Sequence, residues 1–311
     1  MSVVVPAYNA EAFLDEALLS IASQDFRGFE IVVVDDGSTD STGSILSDCN
    51  QAQLRIVTLG QNAGIAVARN LGAQAANGKY IAWLDADDFS YPDRLRVQYE
   101  YMERHPKVGL CGTWVRSLSA TTSKVWRYPR RPDYLRARML FDNPFATSSV
   151  IVRRDAMGSS DTPFDSSFPP AEDYDLWERI SHRWEVANIP RVLSAYRIHA
   201  EQTTAKSPQQ LGQSISRIQR RQLERLRLDV SGEEWRLHVA CGVGWGESLT
   251  EEDMKPLRMW LNKIEQANDR LNVYNSSALR SVLSHRYRFV RNKLRPNLLR
   301  TGALRLSTRV Q

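Results

Sequence analysis

Ile31-Val32-Val33-Val34-Asp35-Asp36-Gly37-Ser38-Thr39-Asp40 is a β-branched run that breaks abruptly into acids and a glycine. A continuous run of this kind reads as a strand buried on both faces, the habit of parallel sheets. Outward from it, similar short runs stand at Ser2–Val5, Arg55–Leu59 and Tyr80–Leu84. Between them apolar residues recur at helical spacing: Phe13, Leu14, Ala17, Leu18 and Ile21, then a segment after Ser38, then Ile65, Ala68, Leu71 and Ala75. Alternating strands and helices predict right-handed crossovers and an α/β fold, a mostly parallel sheet flanked by helices. Ligands of such sheets lie beyond the carboxyl ends of the strands. Chemistry is therefore expected in the residues that follow each run.

Further along, Leu95, Tyr99 and Met102 predict a helix after Pro92. Strands are expected at Val108–Val115, Ser149–Arg153 and Val192–Tyr196, and a helix near Asp173–Ile180. From about Pro208 the pattern turns helical. Thr250 with Asp253 predicts an N-terminal cap for a helix carrying Met254, Leu257, Leu261 and Ile264 on one face. Two domains follow: an α/β domain over 1–205 and a helical C-terminal extension over 206–311.

Composition narrows the class. With 42% hydrophobic and 25% charged residues the chain is globular, and no run approaches the roughly 20 apolar residues that cross a bilayer. No basic stretch precedes an apolar one at the start, so no secretory signal is expected. Three widely spaced cysteines (Cys49, Cys111, Cys241) match no metal pattern and predict reduced, packing residues of a cytoplasmic protein. Between Arg280 and Arg309 lie nine basic residues and no acid, whereas the rest carries more acids than bases. That tail reads first as a solvated helical face. It also suits peripheral contact with the anionic inner face of a membrane, where Leu279, Leu283, Tyr287 and Val290 would be its apolar side, unless they pack on the rest of the protein. No nucleic-acid module accompanies it.

The strand ends are rich in polar chemistry. The first gives Pro6-Ala7-Tyr8-Asn9 and the second Asp35-Asp36-Gly37-Ser38. Asn62-Ala63-Gly64 opens a helix bearing Arg69 and Asn70, and the fourth run ends in Asp85-Ala86-Asp87-Asp88. Acids after two strands would repel a phosphate group unless a cation intervened. Asp85 and Asp87 are hard oxygen donors suited to Mg2+ or Mn2+, which would bridge a diphosphate and stabilise its charge. Asp36 is placed to accept from a base N–H, and Tyr8 to stack on the base. Taken singly, Asp-Asp-Gly-Ser is a turn and Asp-x-Asp a solvated loop. Their joint placement after buried strands gives them weight.

Together these stretches resemble the family-2 glycosyltransferases of the GT-A, Rossmann-like fold. The resemblance rests on Val3-Val4-Val5-Pro6-Ala7-Tyr8-Asn9, Val34-Asp35-Asp36-Gly37-Ser38-Thr39-Asp40, Asn62-Ala63-Gly64 with Ala68-Arg69-Asn70, and Trp83-Leu84-Asp85-Ala86-Asp87-Asp88. It continues in Ala171-Glu172-Asp173-Tyr174-Asp175-Leu176-Trp177 and Tyr196-Arg197-Ile198-His199. It implies that Pro6, Tyr8 and Asp36 hold a nucleoside with Asn62 and Arg69 nearby, that Asp85 faces the ribose, and that Asp87, with His199, meets the metal or diphosphate. Asp173 would be the base that deprotonates an acceptor hydroxyl; read alone it is a helix cap.

The implied activity is inverting transfer of one sugar from a nucleotide-diphosphate donor, UDP first among candidates, to a glycan or lipid-linked acceptor in cell-surface glycan synthesis. Direct displacement needs a base and charge stabilisation on the leaving group, and no enzyme nucleophile. The Gln-x-x-Arg-Trp pattern of processive synthases is absent, since Ile180 stands where glutamine would precede Arg183-Trp184. The acceptor is expected against the Pro163–Ala171 loop, Trp177 and the C-terminal helices. The rival reading is a non-catalytic nucleotide-sugar or carbohydrate-binding protein with a degenerate site. Gly242-Val243-Gly244-Trp245-Gly246 has the wrong spacing and context for a dinucleotide fingerprint.

Overall fold

The computed structural model describes residues 1–49, 53–119, 121–242 and 249–294. It divides into two compact units, Met1–Arg136 with Asn143–Ile218, and Ala137–Asp142 with Gln219 onward. The division falls beyond the expected boundary at 205, and the short stretch Ala137–Asp142 groups with the later residues.

The first unit opens with β1 (Ser2–Ala7), α1 (Leu14–Ala22), β2 (Glu30–Asp35), α2 (Thr42–Asp48), β3 (Leu54–Thr58), α3 (Ile65–Ala75) and β4 (Tyr80–Trp83). It continues through β5 (Phe89–Ser90), α4 (Arg94–Arg104), β6 (Val108–Leu118), β7 (Ser123–Trp126), α5 (Pro132–Arg138), β8 (Ile151–Arg153), α6 (Glu172–Ile180), β9 (Glu185–Arg197) and α7 (Thr203–Lys206). Sheet order is β3-β2-β1-β4-β8-β6-β9-β5, with β7 added beside β6. The first four strands are parallel, as the crossover pattern requires, so their carboxyl ends open on one edge. Beyond β4 the sheet is mixed: β8 is antiparallel to β4 and β6, and β9 runs parallel to β6. All six residues of β1 are buried. Val3, Val5, Leu14, Leu18, Val33 and Leu95 share one core cluster.

Two glycines permit close approaches. A Cβ on Gly72 of α3 would stand 2.3 Å from Val4 Cγ1, so α3 lies tightly on β1. Gly37 has φ +69, and a Cβ there would meet the Gln61 backbone at 2.4 Å.

The second unit contains the end of α8 (Pro208–Arg225), α9 (Gly232–Ala240), α10 (Met254–Leu271) and α11 (Ser276–Leu294). Its polar core is Asp142, which accepts from Arg138 at 2.8 Å and Arg286 at 2.5 Å. Burial would raise the Asp142 pKa, but the two guanidinium groups hold it below the usual carboxylate value. Gln219 and Gln222 donate to the Phe141 and Met139 carbonyls. Ser231 and Glu234 form a reciprocal capping box on α9. On α10 the expected cap is reversed: the helix starts at Met254, and Asp253 reaches back to accept from the Thr250 N–H at 2.7 Å. Cys111 and Cys241 are buried and Cys49 is half-buried.

On α11, Leu279, Leu283 and Val290 are buried, so the side expected to face lipid is already covered. Arg280 pairs with Glu265, which removes another part of the expected free charge. Residues 295–309 of the basic tail, and most of the Gly242–Gly246 run, lie outside the described residues. No described helix is long and apolar enough to cross a membrane.

Gly37→Ala should lower unfolding free energy by about 1–3 kcal/mol, because both the left-handed φ and the Gln61 backbone oppose a methyl group. Urea unfolding monitored by circular dichroism measures the change.

Candidate active site

The loops beyond β1 and β2 are tied together. Asn9 Oδ1 accepts from the Thr39 N–H at 2.9 Å, and the Asn9 N–H donates to Ser38 Oγ at 3.0 Å. Tyr8, the residue before Asn9, is 48% exposed. Pro6, by contrast, is buried within β1. Of the two expected nucleoside contacts on this strand, only Tyr8 has an exposed face.

Asp36 is buried and structurally committed. Its N–H donates to the Ala7 carbonyl at 2.8 Å, and its two carboxylate oxygens accept from the Ala63 and Gly64 N–H groups at 2.8 and 2.9 Å. Gly64, the residue capping α3, has no side chain to offer. Asp36 supplies the acceptor and places negative charge at the positive end of the helix. A base N–H would have to share oxygens already engaged in this clamp. Asn62, one residue earlier, is exposed.

Arg69, expected near the nucleoside, is 5% exposed and joins the loop after β4 to the start of α6: one terminal nitrogen donates to Asp85 Oδ1 at 2.9 Å, the other to Glu172. Its guanidinium lies 5.7 Å over the Phe164 ring. Burial alone would favour the neutral form, but Asp85, Glu172 and Asp173 outweigh it and hold the charge more firmly than usual. The next residue, Asn70, grips both the N–H and the carbonyl of Phe164 at 2.9 Å. Thus α3 fixes the segment leading to α6.

Asp87 and His199 meet, Oδ2 to Nε2, at 2.9 Å, and Phe13 packs its ring 4.9 Å from the imidazole. Burial, then the neighbouring Asp85, raises the Asp87 pKa despite the histidine. Behind it Asp88 is buried and accepts from the Arg197 N–H at 2.8 Å, while Arg197 Nε donates to the Asp87 carbonyl at 2.9 Å. These bonds lock the acidic loop to the end of β9. Among the described residues no three His, Cys, Asp or Glu side chains form a complete cage. Asp87 and His199 bring an oxygen and a nitrogen donor together, the residue types that would hold a divalent ion and supply charge stabilisation to a diphosphate.

Asp173 lies inside the first turn of α6, whose N-cap residue is Ala171; its Oδ1 accepts from the Tyr174 N–H at 2.6 Å, and its Oδ2 accepts from Thr147 Oγ1 at 2.5 Å and Asn143 Nδ2 at 3.3 Å. Burial raises its pKa; Arg69 and Thr147 act against that rise. Glu172, 1% exposed, is pushed up to about 7 by burial, with Arg69 opposing and Asp173 adding to the rise. Trp177, expected to shape an acceptor site, is fully buried and meets Phe164 edge to face at 6.0 Å. Sequence reading passed over Thr147, Asn143 and Arg94. The last is a buried cation donating to the Trp83 carbonyl at 2.8 Å beneath the acidic loop. None of the three sits in a patterned motif, and only tertiary contact reveals them.

Comparison with known proteins matches these features to one family. Residues 2–157 match the family described as Glycosyl transferase family 2. An uncharacterized glycosyltransferase of Haemophilus influenzae is 30% identical over 232 residues, 71% of this chain and 72% of that one. Among solved structures, Staphylococcus aureus TarS 1–349 in complex with UDP-GlcNAc superposes with a TM-score of 0.62 at 20% identity, over 94% of this chain and 91% of that one. The mannosyltransferase PcManGT of Pyrobaculum calidifontis, in complex with GDP-Man and Mn2+, gives 0.52 at 19% identity over 99% and 80%. The chain belongs to glycosyltransferase family 2, and its fold is that of the GT-A enzymes.

Asp36→Ala should cost roughly 1–3 kcal/mol of stability, because two N–H groups at the start of α3 lose a charged acceptor. A melting temperature equal to wild type would show that the clamp contributes nothing.

Proposed function

From that membership as premise, we propose that the chain transfers one sugar from a nucleoside-diphosphate sugar, UDP first, to a hydroxyl of a glycan or lipid-linked acceptor, inverting the anomeric carbon. The observation that carries this reading is the Arg69 bridge. One guanidinium pairs with Asp85, on the acidic donor loop, and with Glu172, beside Asp173. A donor held at the first and an acceptor hydroxyl brought to the second would be neighbours. TarS bound to UDP-GlcNAc supports the choice of nucleotide, and PcManGT with Mn2+ supports a divalent ion.

In this mechanism Tyr8 stacks on the base, Asp36 and Asn62 line the nucleoside side, and Asp85 meets the ribose. Asp87 and His199 would hold the ion, which supplies charge stabilisation to the departing diphosphate. Asp173 takes the acceptor proton as the acceptor oxygen bonds to the anomeric carbon and the carbon–phosphate-oxygen bond breaks. Thr147 and Asn143 hold the Asp173 carboxylate in place for that transfer. Its raised pKa makes it a stronger base than an exposed aspartate.

The setting is cytoplasmic, at the inner membrane face, in cell-surface glycan synthesis. Because the apolar side of α11 is buried, attraction to lipid would rest on charge. Binding to phosphatidylglycerol vesicles should therefore fall steeply with salt; salt-insensitive binding would contradict it.

Asp173→Asn should leave the melting temperature and UDP affinity near wild type and cut transfer by about 10²–10⁴. The base must be ionised, so the wild-type rate should climb with pH along a limb above the ordinary aspartate value of about 3.9, and Asp173→Asn should abolish that limb. A near wild-type rate would move the base to Glu172 or Asp175. Excess EDTA should abolish transfer and Mn2+ restore it; full activity of metal-free protein would remove the ion from the scheme.

A further inference from the structure

One face of β9 leads from the turn that holds Asp173 to an aromatic surface that the scheme above does not use. Ser194 Oγ donates to the Ser148 carbonyl at 3.0 Å. Ser148 follows Thr147, whose hydroxyl donates to Asp173 on α6, so this face of β9 packs on the turn that holds the Asp173 carboxylate. Side chains two residues apart on a strand share a face. Tyr196 is therefore on the same face as Ser194, about 6.6 Å further along.

Register brings a second ring to it. Trp126 of β7 pairs with Val115 of β6, which pairs with Ser194 of β9; Ser117 of β6 pairs with Tyr196. Trp126 and Tyr196 thus lie on that face on opposite sides of β6 and lean across it until their ring centroids are 5.2 Å apart, tilted by 41°. Beneath them Val115 and Ser117 are buried, whereas both rings remain partly exposed. Ile198, next in the alternation, is 44% exposed.

Resting on the transferase reading, we propose that Trp126 and Tyr196 form the acceptor subsite, a shelf on which a pyranose ring of the acceptor stacks with its hydroxyl directed toward Asp173. A sugar presents weakly positive C–H groups on its faces, and these complement the negative face of an aromatic ring. The hydroxyls around its edge stay hydrated or meet polar neighbours. Continuity of the face with the base turn is what selects an acceptor over an unrelated ligand. This shelf replaces buried Trp177 as the acceptor platform.

The competing explanation is that the rings only roof Val115 and Ser117. Saturation-transfer NMR on the full chain with UDP and Mn2+, using methyl α- and β-hexopyranosides as probes, separates the two. Wild type should transfer saturation to ring protons of at least one glycoside. Trp126→Leu keeps an apolar roof but no aromatic face; it should weaken that glycoside roughly tenfold, while Trp126→Phe keeps most of the affinity, with UDP affinity unchanged in both. Equal glycoside binding by Trp126→Leu and wild type, or no glycoside contact in a wild type that binds UDP, would overturn the shelf. A wild type that binds no UDP or UDP-sugar would instead bring down the transferase reading itself.

Discussion

A buried arginine on α3 sets the terms for everything around it. Arg69 lies out of water, and a charge so placed is tolerable only with its partners in position; losing one partner of a buried pair costs about 3–5 kcal/mol. Its partners come from segments far apart in sequence, Asp85 after β4 and Glu172 at the start of α6. Each carboxylate would be crowded by the other acids without the guanidinium. The ion cluster therefore ties the Asp85 loop to the start of α6. Asp36 adds a clamp at the beginning of the same helix, and Asn70 adds another to Phe164. Gly72 lets the helix approach β1 closely enough for these reaches to work.

The parallel core was legible because burial on both faces forces an unbroken apolar run, as at Val3–Val5 and Ile31–Val34. The acids at the strand ends were legible for the same reason, since their position after a buried strand is informative. What those acids touch was not. Asp36 read as open to a ligand but is engaged by N–H groups 27 and 28 residues away. Taken alone Asp173 read as a cap, and only the resemblance pointed to a base, because local spacing cannot see Thr147 or Asn143. Trp177 read as a surface because helical spacing alone does not say which side of a helix the core will claim. The short strands β5 and β7 and the first half of β9 were missed, each being too short or too polar to show a period.

In sequence the division between the two units falls at Ile218–Gln219, within α8. Helix α8 keeps one amphipathic pattern through residue 218, so no composition change marks the division. Ala137–Asp142 belongs to the second unit through Asp142, whose charge needs Arg286, 144 residues later. Of the α11 side chains that suggested membrane contact, Leu279, Leu283 and Val290 are buried and Tyr287 is half-buried.

Direct displacement is the centre of the account: one base, a stabilised leaving group, and no covalent intermediate on the enzyme. The measurement closest to that claim is proton NMR of the freshly formed product, taken before mutarotation, from an α-linked UDP-hexose incubated with the protein and Mn2+. Whether the acceptor is a sugar or water, the account predicts a product that is initially the β anomer. A product that appears first as the α anomer would show retention and contradict it.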